Sequence, residues 1–582
     1  MKAFNRKKIS DVSKNRMTYL FGIVGFLFLL LIAGLFYRTV VQGNELTKQA
    51  LDVQNVNRNI LPRRGTIFDR NNTALAISSK VYIVSINPKK IIENNKLSPL
   101  EITEGISNIL KVDRAKLLSK ITIDQKYYLV KRKVEEKEKV DLDKWIKKEK
   151  IDGIYYSDDY KRYYPDGKFA AQVLGFLATD NQGLYGVENT FEDDLKGTAG
   201  KNVSEVMDGN NIHLTIDETI QYFAEKALDK AILDNKVMGG AIAIVTDPKN
   251  GDILALVSKP DFDPNDPYLA PKISGIDISK WGNGHSNESV GQLSSTVWRN
   301  KAISDTYEPG STFKSITSCA GIEEGLVTAN TIVNDKTIQV DKYHINCWKK
   351  AYGGIHGSET FAKALYNSCN PVFSLLSQQL GIDKFYKYIE SFGFDKCTGI
   401  LLPGESKGIE HDKPDFVDMN VAAFGQRFNV TPIQLIMSYG AIANGGILFE
   451  PRIVSQVTDS KGNLVRTIKP TQVRRVISES TSKTIRDILT GVVDEGTGAK
   501  AYVDGYNVAG KTGTSQTVNT LQYDASFAGF APADNPRICV LVVMKNPQGV
   551  SHKGGIVAAP VASKIIEDTL TYLKVERKFD KK

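Results

Sequence analysis

Hydrophobic and polar positions divide the 582-residue chain into three regimes. The first is one unbroken apolar run, Met17 to Tyr37 (MTYLFGIVGFLFLLLIAGLFY), without a charge. As a helix it would extend about 31 Å, enough for a bilayer core. The second regime runs to about Asn210 and mixes short apolar segments with dense charge. Thr39 to Val56 reads as a helical stalk. Pro62, Gly65 and the Asn71-Asn72 pair frame a short strand. Lys131 to Lys150, rich in both signs of charge, predicts a solvated helix, and the tyrosines of Tyr155–Tyr164 predict surface packing. The third regime begins at Asn211. Ile212–Ile216 alternates as a strand does, and Asp217 caps a helix through Ala227. Gly239–Val245 and Asp252–Val257 read as strands joined by the Pro248-Lys249-Asn250-Gly251 turn. Near the end, Ser526–Pro532 and Arg537–Met544 predict strands and Ala559–Leu573 a closing helix. Strands and helices in this order predict an α+β domain with a central antiparallel sheet flanked by helices.

Composition adds a compartment. Hydrophobic content of 41% with 24% charged residues is that of a globular chain, and a net charge of +9 with no basic stripe excludes a nucleic-acid binder. Five cysteines are too few and odd in number for a disulfide scaffold. Ahead of the apolar run, Lys2, Arg6, Lys7, Lys8, Lys14 and Arg16 face one acid, Asp11. That bias keeps the N-terminus cytoplasmic and exports the remainder. The run is too long for a cleaved signal peptide, and no small-residue cleavage pattern follows Ala33. The expected organisation is a cytoplasmic tail (1–16), a single transmembrane helix (17–38), an elongated domain (39–210), a second domain (211–575) and a basic tail (576–582). The expected location is the cell membrane, single-pass, with the large domains extracytoplasmic.

Candidate chemistry sits in three short motifs in the second domain. In Glu308-Pro309-Gly310-Ser311-Thr312-Phe313-Lys314, Pro309 and Gly310 break the preceding structure and Ser311 opens a helix. Lys314, three residues on, shares its face. A serine hydroxyl needs a base to attack, and a lysine serves when burial and nearby cations lower its pKa. In Ser368-Cys369-Asn370, the hydroxyl can pass a proton to a leaving amine and the carboxamide can hold a backbone amide. In Lys511-Thr512-Gly513-Thr514-Ser515, a cation and hydroxyls can bind a carboxylate. Gly513 permits close backbone approach, and the Thr514 amide can complete an oxyanion hole with that of Ser311. Each motif alone reads equally well as a capped helix or a turn; the set in this order does not.

The ordered set resembles that of penicillin-binding proteins and serine β-lactamases. With Pro62–Arg70, Gly183–Glu188, Leu195–Gly197, Arg299–Ala302, Gly425 and Thr431–Gln434 added, the chain resembles a class B penicillin-binding protein over nearly its whole length after the apolar run. The resemblance implies a non-catalytic pedestal (dimerisation-type) domain followed by a penicillin-binding transpeptidase domain. It implies a serine-type D-Ala-D-Ala transpeptidase that cross-links peptidoglycan stem peptides through an acyl-enzyme on Ser311, with β-lactams as inhibitors. Lys314, Ser368, Asn370, Lys511 and Thr514 would carry catalysis, and Thr512, Gly513 and Thr514 would bind substrate. Asn181–Leu184 and the Ser-Cys-Asn-Pro context are most similar to the division and sporulation branch. That branch works with a polytopic glycan polymerase of the shape, elongation, division and sporulation family in septal or spore wall synthesis. The alternatives are a scaffold that activates such a polymerase, or a β-lactam sensor or β-lactamase.

The chemistry itself requires no cofactor. Asp335, Cys347, His356 and Cys369 nonetheless offer thiolate, imidazole and carboxylate ligands for a structural zinc, with His344 as a substitute for Asp335. Some class B proteins carry such a site, and the resemblance here rests on Asp335, His356 and Cys369. The alternative is two small buried cysteines and a turn-capping histidine. His213, His285, His411 and His552 read as ordinary residues, with His552 placed to approach the cleft.

Overall fold

The computed structural model describes residues 11–37, 61–200, 205–271, 284–408, 413–517 and 522–578. The expected stalk Thr39–Val56, the ends of both tails and His411 lie outside the described residues. Two compact units result: Met1–Pro62 with Thr198–Met207, and Arg63–Gly197 with Asp208–Lys582.

In the first unit a continuous helix, Asp11–Phe36, covers most of the expected crossing. Its apolar side chains are exposed, Tyr19 by 76% and Leu29 by 66%. Among the described residues no helix is long and apolar enough to cross a membrane; the side chains of Met17, Thr18 and Leu35 are not among those described.

Among the described residues the second unit holds two large sheets and three two-stranded ones. One has seven strands, in the order Leu464–Thr467, Val454–Thr458, Asn211–Leu214, Ile67–Phe68, Ala74–Ile86 and Tyr128–Val134, with Ile154–Tyr163 also paired to Ala74–Ile86. Ile67–Phe68 runs parallel to Asn211–Leu214 and antiparallel to Ala74–Ile86, so one sheet joins the N-terminal part of the unit to the C-terminal part. The charged stretch 131–150 divides: Tyr128–Val134 is a strand and Glu136–Glu149 a helix buried only at Leu142. The tyrosine-rich stretch is a ten-residue strand, Ile154–Tyr163. Tyrosine favours strands as much as loops, which charge density concealed.

The other large sheet has five antiparallel strands, in the order Ala509–Gln516, Tyr523–Ala531, Ile538–Lys545, Ala241–Thr246 and Ile253–Lys259. Its central strands are buried on both faces, as expected of a sheet covered by helices on either side. Glu218–Asn235, which Asp217 caps through the Thr219 and Ile220 amides, and Ala559–Tyr572 cover one face. Pro432–Ala443, buried at every position, lies on the other with Lys314–Glu323. The predicted α+β class with a central antiparallel sheet is the observed one.

Candidate active site

The Lys511 strand (Ala509–Gln516) is the edge of the five-stranded sheet, paired on one side only. Against its free edge stands the turn that carries Ser311. Gly310 has φ +55°, which glycine adopts without cost. Its N–H donates to the Gly425 carbonyl at 2.8 Å. A Cβ on Gly310 would sit 3.0 Å from the Thr514 carbonyl oxygen, and one on Gly425 would sit 2.0 Å from that of Gly310. Three backbones are thus in contact, which fixes Ser311 beside Thr514. Gly310–Phe313 is a 3-10 turn leading into the α-helix Lys314–Glu323. Residues three apart eclipse in a 3-10 turn, so Ser311 and Lys314 share a face, as the spacing predicts. The Tyr439 hydroxyl donates to the Thr312 carbonyl at 2.8 Å and locks the turn from below.

Lys314 is fully buried. Its Nζ donates to the Ser368 carbonyl (2.7 Å), Ser368 Oγ (3.1 Å) and Asn370 Oδ1 (2.6 Å), and lies 5.3 Å from the Phe373 ring centre. The first two motifs therefore meet on one amine. Ser368 holds a left-handed backbone (φ +57°), a conformation uncommon for a serine and concentrated at functional sites. It turns the chain so that Ser368 and Asn370 reach Lys314 together. Lys511 is also fully buried. Its Nζ donates to the Thr512 carbonyl at 3.2 Å and approaches Thr497 Oγ1 at 3.5 Å. Burial, and then the charge of Lys511, hold Lys314 well below the ordinary lysine range. Burial lowers Lys511 to about 7. The lowered basicity of Lys314, beside Ser311, suits a general base, while Lys511 on the facing strand can bind an anion only below about pH 7, where it keeps its charge.

Gly513 is needed where it stands: a Cβ there would lie 2.3 Å from Ser526 Oγ and 2.8 Å from the Pro309 carbonyl oxygen. Thr514 Oγ1 accepts the Gly554 N–H at 3.0 Å. Thr497 and Gly554 were not among the sequence candidates. Thr497 hydrogen-bonds Thr512 at 3.2 Å. Nothing local in Gly496-Thr497-Gly498 distinguishes it from a turn.

Asp335, Cys347, His356 and Cys369 converge, with one ligand atom of each within 4.8 Å of the others. His356 Nδ1 lies 2.9 Å from Cys369 Sγ, 3.3 Å from Cys347 Sγ and 3.1 Å from Asp335 Oδ2. The two sulfurs are 3.6 Å apart and Cys369 Sγ is 3.8 Å from Asp335 Oδ2. Zinc–sulfur bonds of about 2.3 Å in a tetrahedron place sulfurs about 3.8 Å apart, so the donor set fits zinc in both chemistry and spacing. The His356 and Gly357 amides donate to the Asp335 carboxylate at 2.8 and 2.9 Å and orient it. His344 lies elsewhere, exposed on the Tyr343–Ile345 strand. It does not substitute for Asp335, which itself completes the converging set. His552 stacks on Tyr523 at 4.0 Å between ring centres.

Comparison with known proteins gives the arrangement its context. Residues 241–567 match the penicillin binding protein transpeptidase domain, and residues 59–222 the penicillin-binding protein dimerisation domain. The chain is 36% identical to stage V sporulation protein D of Bacillus subtilis, over 98% of this chain and 88% of that one. It is 28% identical to the peptidoglycan D,D-transpeptidase FtsI of Escherichia coli, over 88% and 84%. In structure it is similar to penicillin binding protein 3 of Mycobacterium tuberculosis complexed with aztreonam: TM-score 0.67, 25% identity, 89% of this chain and 98% of the other. With its edge-strand lysine, its Ser-x-x-Lys turn over a buried Lys314 and both domain matches, the chain belongs to the class B penicillin-binding protein transpeptidases.

Proposed function

We propose that this chain is a peptidoglycan D,D-transpeptidase whose acyl-enzyme forms on Ser311. The observation that carries the reading is the Lys314 amine, fully buried, without a carboxylate among the described residues and bonded to both Ser368 and Asn370. Ser311 Oγ attacks the penultimate D-alanine carbonyl of a stem peptide while neutral Lys314 takes its proton. The Ser311 and Thr514 amides receive the developing oxyanion. Lys511, Thr512 and Thr514 hold the terminal carboxylate, with Thr497 supporting Thr512. Ser368 Oγ relays the proton to the departing amine of D-alanine. An amine of a neighbouring stem then takes the acyl group by the reverse relay. β-Lactams follow the first half of this path and stay on Ser311. Mass spectrometry of the penicillin-treated protein places the adduct on the peptide containing Ser311; an adduct elsewhere, or none, overturns the assignment. A lifetime of hours separates a transpeptidase from a β-lactamase, which would clear it in seconds.

Likeness to stage V sporulation protein D and FtsI favours septal or spore wall synthesis beside a polytopic glycan polymerase. The helix Asp11–Phe36, with its basic N-terminal flank, favours a single-pass anchor holding the catalytic unit outside the membrane. A cysteine-labelling map of residues on either side of the helix tests that topology. Asp335, Cys347, His356 and Cys369 would hold a zinc ion whose chemistry is structural: a closed set of four protein ligands leaves no open position. Through Cys369 it would brace Ser368 and Asn370. Elemental analysis of freshly purified protein, expected to give one zinc per chain, tests it.

A further inference from the structure

On the rim of the cleft Lys553 lies between the two walls of the site. On one side, the next residue's amide, Gly554 N–H, donates to Thr514 Oγ1 on the Lys511 strand. On the other side are Trp348 and Tyr352, both on the 3-10 turn that begins after Cys347. Trp348 Nε1 donates to the Asn367 carbonyl at 2.7 Å, one residue before Ser368, so its ring belongs to the opposite wall. Lys553 Nζ donates to the Tyr352 hydroxyl at 3.2 Å. It lies 5.2 Å from the Tyr352 ring centre and 5.9 Å from that of Trp348. The adjoining His552 is stacked on Tyr523, so the loop is held from both sides.

What these contacts leave undone is charge. Among the described residues no carboxylate pairs with Lys553, whereas most exposed lysines with a fixed hydrogen bond here have an acidic partner. Two π faces and a neutral phenol orient an ammonium without neutralising it. A cation so placed, exposed and beside the Lys511 strand to which the transpeptidase reading assigns the terminal carboxylate, is suited to a second anionic group on the same peptide.

We propose that Lys553 is a specificity-determining residue that receives a side-chain carboxylate of the donor stem peptide, outside the terminal D-alanyl pair, with Trp348 and Tyr352 as its positioning residues. The inference rests on the transpeptidase reading above. Recognition is electrostatic and solvent-exposed, so its effect is modest, about fivefold in rate.

The test uses the full chain in detergent and two synthetic donors ending in D-alanyl-D-alanine. They are identical except that the residue before that pair bears a side-chain carboxylate or the corresponding amide. The readout is the ratio of kcat/KM for acylation of Ser311, which does not depend on the fraction of active protein. The wild type is expected to favour the carboxylate donor about fivefold. Lys553→Met brings the ratio to near one, Lys553→Glu takes it below one, and Tyr352→Phe lowers it part of the way. A Lys553→Met protein with the wild-type ratio, or a wild type without preference, overturns the proposal. Penicillin labelling of the wild type runs in parallel. If neither penicillin nor either donor acylates Ser311, the transpeptidase reading falls and this one with it. Labelling with penicillin but no carboxylate preference removes only the role of Lys553.

Discussion

Two groups of buried charge in this molecule are handled in opposite ways. In the pedestal part, Glu188 has a fully buried side chain and accepts from Arg64 Nε at 2.7 Å, Arg162 Nε at 2.6 Å and Tyr164 at 3.2 Å. Arg64 also reaches Glu192 at 2.6 Å and Arg162 the Gly65 carbonyl at 2.7 Å. Burial pushes the Glu188 carboxyl up, but Arg162 and Arg64 outweigh it and hold the pKa below its usual value of 4.5. In the cleft, Lys314 and Lys511 are as deeply buried, yet among the described residues neither is bonded to a carboxylate, and both are lowered. The compensated charges tie segments together; Lys314 and Lys511, uncompensated, are left with lowered basicity. Removing one partner from a compensated buried set costs stability, whereas removing an uncompensated lysine costs chemistry.

Crossing the two sites with variants sharpens that contrast, and the largest effect is expected in the cleft. Lys314→Met lacks the base and should lower kcat/KM for penicillin acylation by about 10²–10⁴-fold, as followed by stopped flow. Its melting temperature should hold or rise, because the amine it loses was destabilised by burial. A Lys314→Met protein that melts lower while acylating normally would erase the distinction. Glu188→Gln should do the reverse. Arg162 loses its counter-charge and Arg64 keeps only Glu192, at a cost of about 3–5 kcal/mol, read by calorimetry, while penicillin acylation per folded molecule stays at the wild-type rate.

Acid and base should act on the two sites with opposite sign. Glu188 is lowered, so its stabilisation is present above pH 4.5 and is lost as pH falls through its folded-state pKa. The melting difference between wild type and Glu188→Gln should therefore shrink in acid. Lys511, at about 7 when folded against 10.5 unfolded, destabilises fully below pH 7 and progressively less up to 10.5. The advantage of Lys511→Met in melting temperature should therefore shrink in alkali. Acylation by a carboxylate-bearing substrate should rise as Lys314 deprotonates and fall above about pH 7 as Lys511 loses its charge. A plot without the falling limb would deny Lys511 its carboxylate.

The same contrast explains what the sequence disclosed. Ser311 and Lys314 were legible because their chemistry depends on local spacing: a turn and three residues. The α+β class followed from hydrophobic period. Thr497, Gly554 and the Gly310–Gly425 contact were not legible as site features, since each is defined by a partner far along the chain. The strand Ile154–Tyr163 was hidden because its tyrosines and charges alternate against a partly solvated sheet. The pedestal hub was visible only as fragments, since Arg64 and Glu188 meet across 124 positions.

The smallest effects should come from the cluster of Asp335, Cys347, His356 and Cys369, which tests whether a third buried site belongs with the pedestal or with the cleft. A zinc ion there would do for two thiolates and a carboxylate what the arginines do for Glu188. Chelation should then lower the melting temperature and slow acylation by less than Lys314→Met does, because Ser368 and Asn370 lose a brace but remain bonded to Lys314. Cys347→Ser should reduce zinc content in the same direction. His344→Ala should leave zinc content and melting temperature where they were, since His344 is exposed and outside the cluster. If His344→Ala released the metal, the ligand set read from the geometry would be wrong, and the cluster would be neither compensated nor closed.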